Sequence, residues 1–230
     1  ASLEEVPTDV LKQVLLNHVI EGEVMSGDLT TMYGNTMATN TEGDNLSLYI
    51  NTESGVMLNG VSTVTTADVE VSNGVIHAVD TVIGLPTIVT FATADPNFSS
   101  LVGALTADGQ PDFVSILSGT TDAPFTVFAP LNSAFEALSA TPTGATLTAV
   151  LQHHVVAGAN ARSEDLTDGM MVSSLEGDNI TIALPGTGDA IADLTDGAGN
   201  TDIGVVAVDV QATNGVIHAV NKVLIPDTTN

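Results

Sequence analysis

Five imidazoles, His18, His77, His153, His154 and His218, are the side chains of this chain best suited to moving protons or holding a metal near neutral pH. His77 and His218 lie inside apolar runs, where a ring most simply hydrogen-bonds a nearby backbone or carboxylate group and fixes a strand. Asp80 offers His77 a catalytic partner, but its counterpart beside His218 is Asn221, which cannot act as a general base. His153 and His154, with His18, offer metal ligands, yet neighbours on a helix point about 100° apart and chelate poorly, so structural use is favoured there too. Hard oxygen ligands gather between Asp189 and Asp202, where Asp193, Asp196, Asn200 and Asp202 are the candidates to surround Ca²⁺. That spacing lacks the terminal glutamate of an EF-hand, and a solvated turn is the competing reading.

Other chemistries are poorly provided for. The chain has no cysteine, which excludes disulfides, thiolate nucleophiles and sulfur-ligated zinc. No Gly-x-Ser-x-Gly elbow or phosphate-binding loop occurs, so no enzymatic activity is expected. Acidic residues number 28 against three cations, a net charge of -25, which repels nucleic acid and anionic membrane surfaces. A salty habitat is one reason for such a surface. No stretch approaches the roughly 20 apolar residues of a spanning helix. With 43% apolar residues in 230, one or two packed domains are expected.

The elements that must position these side chains come in two copies. Asn73-Gly74-Val75-Ile76-His77-Ala78-Val79 recurs unchanged as Asn214-Gly215-Val216-Ile217-His218-Ala219-Val220, and each copy runs on to a proline, Pro86 or Pro226. Upstream, Glu42-Gly43-Asp44-Asn45 answers Glu176-Gly177-Asp178-Asn179 as a turn into an alternating strand. Further upstream, Leu11, Val14, Leu15, His18 and Val19 match Leu147, Val150, Leu151, His154 and Val155 at helical spacing. The second copy extends further back, to Thr87, and this opening holds every phenylalanine of the chain. It reads as a helix capped by Asp95, a short helix from Asp112 to Leu117, a buried strand Phe125-Thr126-Val127-Phe128, and a helix capped by Asn132. The first copy has no equivalent and is expected to pack poorly alone. Between the Gly-Asp-Asn turn and the closing motif the second copy is seven residues longer, which places the acidic loop in an insertion.

Phe125-Thr126-Val127-Phe128-Ala129-Pro130-Leu131-Asn132-Ser133-Ala134-Phe135 resembles the first signature of fasciclin domains, and the segment from Asn214 to Pro226 is similar to that family's closing motif. Leu151 to Gly158 fits the central segment, where a Tyr-His pair is usual; His153 stands in the tyrosine's place before His154, and Asn17 stands there before His18. The matching positions are thus Phe125 to Pro130, Asn132, Phe135, His154, Asn214, Gly215 and His218, with His18, Asn73, Gly74 and His77 in the first copy. The resemblance implies an α+β architecture: tandem fasciclin folds, each a β-sandwich or wedge with flanking α-helices. Residues 1–86 would form a module lacking its N-terminal helices and first strand, 87–226 a complete module, and 227–230 a tail. It further implies a secreted, cell-surface or periplasmic protein that works in adhesion, binding extracellular matrix or cell-surface protein or glycan. The alternative is a carrier for an apolar lipid or pigment. Self-association through the incomplete first module is a further expectation, with Ca²⁺ the one cofactor in view.

Overall fold

Alternating and β-branched residues dominate the chain around both Gly-Asp-Asn turns, and in the computed structural model, which describes residues 6–227, they form two separate sheets. The chain divides into two compact units. One is built from residues up to Asp95 together with Gln211–Thr213, the other from Pro96–Val210 and the chain from Asn214 on.

In the first unit, helix α1 (Thr8–Leu16) precedes strands β1 (Met32–Thr39), β2 (Asn45–Asn51), β3 (Met57–Leu58), β4 (Ser62–Val71) and β5 (Gly74–Val79), which lie side by side in chain order, each antiparallel to the next. The β1–β2 turn closes because Gly43 takes φ +100° and Asn40 Oδ1 accepts from the Glu42 and Asp44 N–H groups, both at 2.9 Å. Leu48, Ile50 and Ile83 form the core, with Ile20, Leu29, Val56 and Leu58 packed against it. Helix α2 (Ile88–Ala94) also falls in this unit. Thr87 and Thr90 cap it reciprocally, and buried Phe91 meets Tyr33 edge-on with ring centroids 5.7 Å apart.

The second unit places α3 (Ser99–Leu105), α4 (Phe113–Ser118), α5 (Asn132–Glu136) and α6 (Gly144–His153) beside a seven-stranded sheet. Its strands are β6 (Phe125–Pro130), β7 (Val155–Ala157), β8 (Met171–Ser173), β9 (Asn179–Ala183), β10 (Ala192–Thr195), β11 (Ile203–Ala212) and β12 (Gly215–Val220), in the order β7-β6-β12-β11-β10-β9-β8. β6 and β12 run parallel. The main core gathers Phe128, Ile180, Ile182, Leu194 and Ile203 with their neighbours, and a smaller one joins Ala134, Val150 and Val223. The architecture is α+β with a sheet and helices in each unit, as the motifs imply.

The helix starts at Asp95 and Asn132 are built differently. Asp95 directly precedes a 3₁₀ turn, Pro96–Phe98, that runs into α3, and its carboxylate accepts from Tyr33 Oη at 2.9 Å. Asn132 is the first residue of α5 and not its cap; its amide ties the helix to the turn before α3, accepting from Ser100 N–H at 2.9 Å and donating to Pro96 O at 2.9 Å.

Candidate functional site

The closing motif recurs in structure as well as in sequence. His77 Nδ1 accepts from Asp68 N–H at 3.3 Å while Nε2 lies 2.9 Å from Val24 O. His218 repeats this arrangement with Asp209 N–H at 3.4 Å and Ala161 O at 2.8 Å. An accepting Nδ1 leaves the proton on Nε2, which donates to the carbonyl, so each ring is neutral. Asp68 and Asp209 reach this position at φ 59° and 62°, a conformation aspartate tolerates, and their carboxylates accept from the N–H groups of Ser26 and Ser163, both at 2.8 Å. The Ser26 hydroxyl and N–H hold the Asp68 carboxyl below its usual range. Burial pushes the His218 imidazole down.

A second pair of rings fastens each helix to the closing segment. His18 Nδ1 lies 2.7 Å from Val14 O, and Nε2 accepts from Ile83 N–H at 3.0 Å. His154 does the same with Val150 O at 2.7 Å and Leu224 N–H at 2.9 Å. Burial pushes His154 down to about 4. Four of the five rings therefore spend both nitrogens on backbone groups and retain no lone pair or proton for a substrate.

The fifth ring, His153, is fully buried; Nε2 accepts from Gly197 N–H at 3.1 Å, and Nδ1 faces Ser174 Oγ at 3.1 Å and Glu176 Oε2 at 3.6 Å. Burial pushes its pKa down, against the pull of Glu176, Asp196 and Asp178. Among the described residues, His153, Glu176 and Asp178 bring three ligand atoms within 4.8 Å of one another. The ring's proton sits on Nδ1, the nitrogen facing Glu176, and Asp178 Oδ2 already accepts from Asp227 N–H at 2.6 Å, so the group is arranged as a hydrogen-bonded network. Asn17, in the corresponding place, donates to Gly84 O at 3.0 Å and accepts from Thr36 Oγ1 at 3.2 Å.

Of the four acidic-loop candidates, Asp196 and Asn200 are joined: Asn200 N and Nδ2 donate to Asp196 Oδ1 and Oδ2, each at 2.8 Å, and Ile225 N–H adds a third bond at 2.8 Å. Asp193 accepts from Thr187 N–H at 3.0 Å, and Asp202 pairs with Lys222. The signature residues serve packing. Phe125, Thr126, Val127, Phe128, Ala129 and Pro130 are all buried on β6, Phe135 packs against the smaller core, and buried Asn214 donates to Leu117 O at 2.7 Å. Asn73 is exposed at its turn, beside Gly74.

What sequence reasoning missed lies in the first unit: a cavity of about 350 Å³ bounded by α1's end, β2, β4 and β5, lined by apolar side chains with His18, His77 and Asn17 among them. The Asp68 and Asp209 struts also went unread, although each lies nine residues before its histidine.

A family profile for the fasciclin domain matches residues 1–86 and 96–226. The chain is 35% identical to an uncharacterized protein, sll1735, of Synechocystis sp. over 61% of its own length and 98% of that protein's. It is 31% identical to human periostin and 27% identical to the Sus scrofa transforming growth factor-beta-induced protein ig-h3, in each case over 95% of this chain, but it spans only 25% and 31% of their lengths. Its fold is similar to that of a FAS1 domain pair from the insect cell adhesion molecule Fasciclin I, with a TM-score of 0.56 at 19% identity, covering 94% of this chain and 80% of the other. With the profile covering nearly all of a chain that carries the histidine-strand framework twice, this protein belongs to the fasciclin domain family.

Proposed function

We propose that this chain is an extracellular or cell-surface interaction module that binds protein or glycan partners by surface contact and performs no catalysis. The observation that carries this reading is the use of His18, His77, His154 and His218, whose ring nitrogens all bond backbone groups of their own unit. The solved structure it is similar to comes from a protein named as a cell adhesion molecule, which fits a contact role. Among the described residues no helix is long and apolar enough to cross a membrane. Val114 and Ile116 on α4, 40% and 38% exposed, are apolar side chains open to a partner. The test is binding of the labelled chain to cell-surface and matrix preparations and to a glycan panel. Saturable binding that falls when Val114 and Ile116 are changed to glutamate supports the reading; no saturable binding to any of them removes it.

A further inference from the structure

His153 is where several segments of the complete second unit meet. Its ring hangs from the last residue of α6, is fully buried, and presents Nδ1 to Ser174 and Glu176 of the turn between β8 and β9. Nε2 accepts from the Gly197 N–H of the acidic insertion at 3.1 Å. That insertion is tied in turn to the closing segment: Ile225 N–H donates to Asp196 Oδ2 at 2.8 Å, and Ala198 N–H donates to Ile225 O at 3.0 Å. Asp227 N–H completes the ring of contacts by donating to Asp178 Oδ2 at 2.6 Å. Gly197 is packed so tightly there that an added Cβ would stand 2.7 Å from both Asp178 Oδ2 and Asp227 N.

The two ring nitrogens have opposite roles, and only one protonation state fits them. A charged imidazole carries a proton on each nitrogen, so a proton added at Nε2 turns the acceptor of the Gly197 bond into a donor facing a donor. Protonation and the closed turn therefore exclude each other. The charged and titratable groups around the ring are Glu176 and Asp178 from the β8–β9 turn, Asp196 from the insertion and His154 from the end of α6. The three carboxylates favour the charged ring, and burial opposes it. Once the turn lifts and water reaches the imidazole, burial no longer opposes the charge while the carboxylates still attract it. In the first unit the same place holds Asn17, whose amide donates to Gly84 O at 3.0 Å and Ile83 O at 3.4 Å and takes up no proton near neutral pH.

We propose that His153 is an acid-operated latch: a proton on Nε2 breaks the bond to Gly197 and releases the turn 196–200 together with the closing residues 225–227, while the sheet stays formed. Release bares the Asp196 carboxylate, only 4% exposed in the closed form, so the surface this unit offers differs between neutral and acidic media. The first unit, fastened by Asn17 at the same place, does not respond. Such a latch operates whatever partner the chain binds, so its failure leaves the interaction-module reading intact.

The test is amide hydrogen exchange in the full chain, read as protection relative to the intrinsic rate at each pH. Gly197 and Ile225 N–H should be less protected than Ile217 N–H in the middle of β12, because they open without global unfolding. The closed ring sits below the usual 6.5 and the open ring at it, so their protection should fall by up to about 30-fold between pH 7.5 and 5.0. His153→Asn, which installs the first unit's residue, should abolish that fall. The proposal is overturned if Gly197 and Ile225 keep their protection in acid, if they are as protected as Ile217 throughout, or if the fall persists in His153→Asn. Imidazole ¹⁵N shifts of the unaltered protein read the same event should that variant not fold. Nε2 must gain its proton over the pH range in which Gly197 loses protection, and a ring still neutral there overturns the latch.

Discussion

Ile76 and Ile217 occupy the same place in two strands of identical sequence, yet Ile76 is 52% exposed and Ile217 only 1%. Local sequence and backbone propensity are the same at both, so the difference comes from what each unit lays against its closing strand.

Truncating the two isoleucines isolates that difference. Ile217→Ala should cost about 3 to 4 kcal/mol in urea denaturation, as large-to-small changes in a sealed core do, and Ile76→Ala should cost less than about 1 kcal/mol. Equal losses would show that a cover lies over Ile76 in solution.

The paired glycines give an independent reading of the same strands. Ala at either position meets backbone strain of about 1 to 2 kcal/mol, since φ is +156° at Gly74 and +151° at Gly215. Only Gly215→Ala also drives a Cβ into Phe125, so it should destabilise by about 3 kcal/mol beyond Gly74→Ala. Matching melting temperatures for the two variants would contradict the close β6 approach.

Acid should loosen the protein from an unusually high pH. His154 is neutral when folded, with its pKa pushed from 6.5 to about 4, so its contribution is fully present above pH 6.5 and is lost as pH falls from 6.5 toward 4. The shift corresponds to about 3 kcal/mol at full extent. His153 and His218, also lowered, lose theirs in the same direction as pH falls below 6.5, whereas Asp68 and Asp112, lowered carboxylates, lose their contribution only as pH falls below 3.8. Urea midpoints between pH 7.5 and 4.5 should fall steadily, and less steeply in His154→Gln. An identical slope in that variant would sink the assignment.

Alkali should act through the only two tyrosines. Desolvation and the Asp95 carboxylate raise Tyr33 strongly and push Tyr49 up to about 12. Raised acids contribute stability that is complete below the unfolded value of 10 and is lost as pH rises through the folded values. Tyrosinate absorbance at pH 11 should therefore appear only with unfolding. A normal titration in folded protein would show that the Tyr33–Asp95 contact is not formed.

The acidic loop should be insensitive to calcium. Asn200 turns its amide nitrogen toward Asp196, whose carboxylate is filled by N–H donors, and Asp202 is held by Lys222. Millimolar Ca²⁺ added after EDTA should move Tm by less than about 1 °C; a rise of several degrees would establish the loop as a site.

Periodicity and turn chemistry made the duplicated strand, β6 and the α6 helix legible, because each is specified by its own residues. The structural role of His77 and His218 was legible too, since a polar ring in an apolar strand needs a partner, but the partners, Val24 and Asp68, lie 53 and nine residues away and carry no local signal. Helix α2 was missed because Ile88-Val89-Thr90 reads as a β-branched run; Thr87 with Thr90 was the available cue. Asp95 has the form of a cap, but its bond to the part-buried Tyr33 hydroxyl, 62 residues away, has no local signal. The cavity was invisible because it depends on side chains from distant segments, from Asn17 to Ile83, facing one another.

The histidine struts join uncharged rings to uncharged backbone, so added electrolyte leaves them unchanged. Among the described residues, salt weakens the few contacts made by Arg162 and Lys222, while it screens the mutual repulsion of 28 carboxylates. Concentrated brine, which loosens proteins held by ion pairs, should therefore tighten this fold.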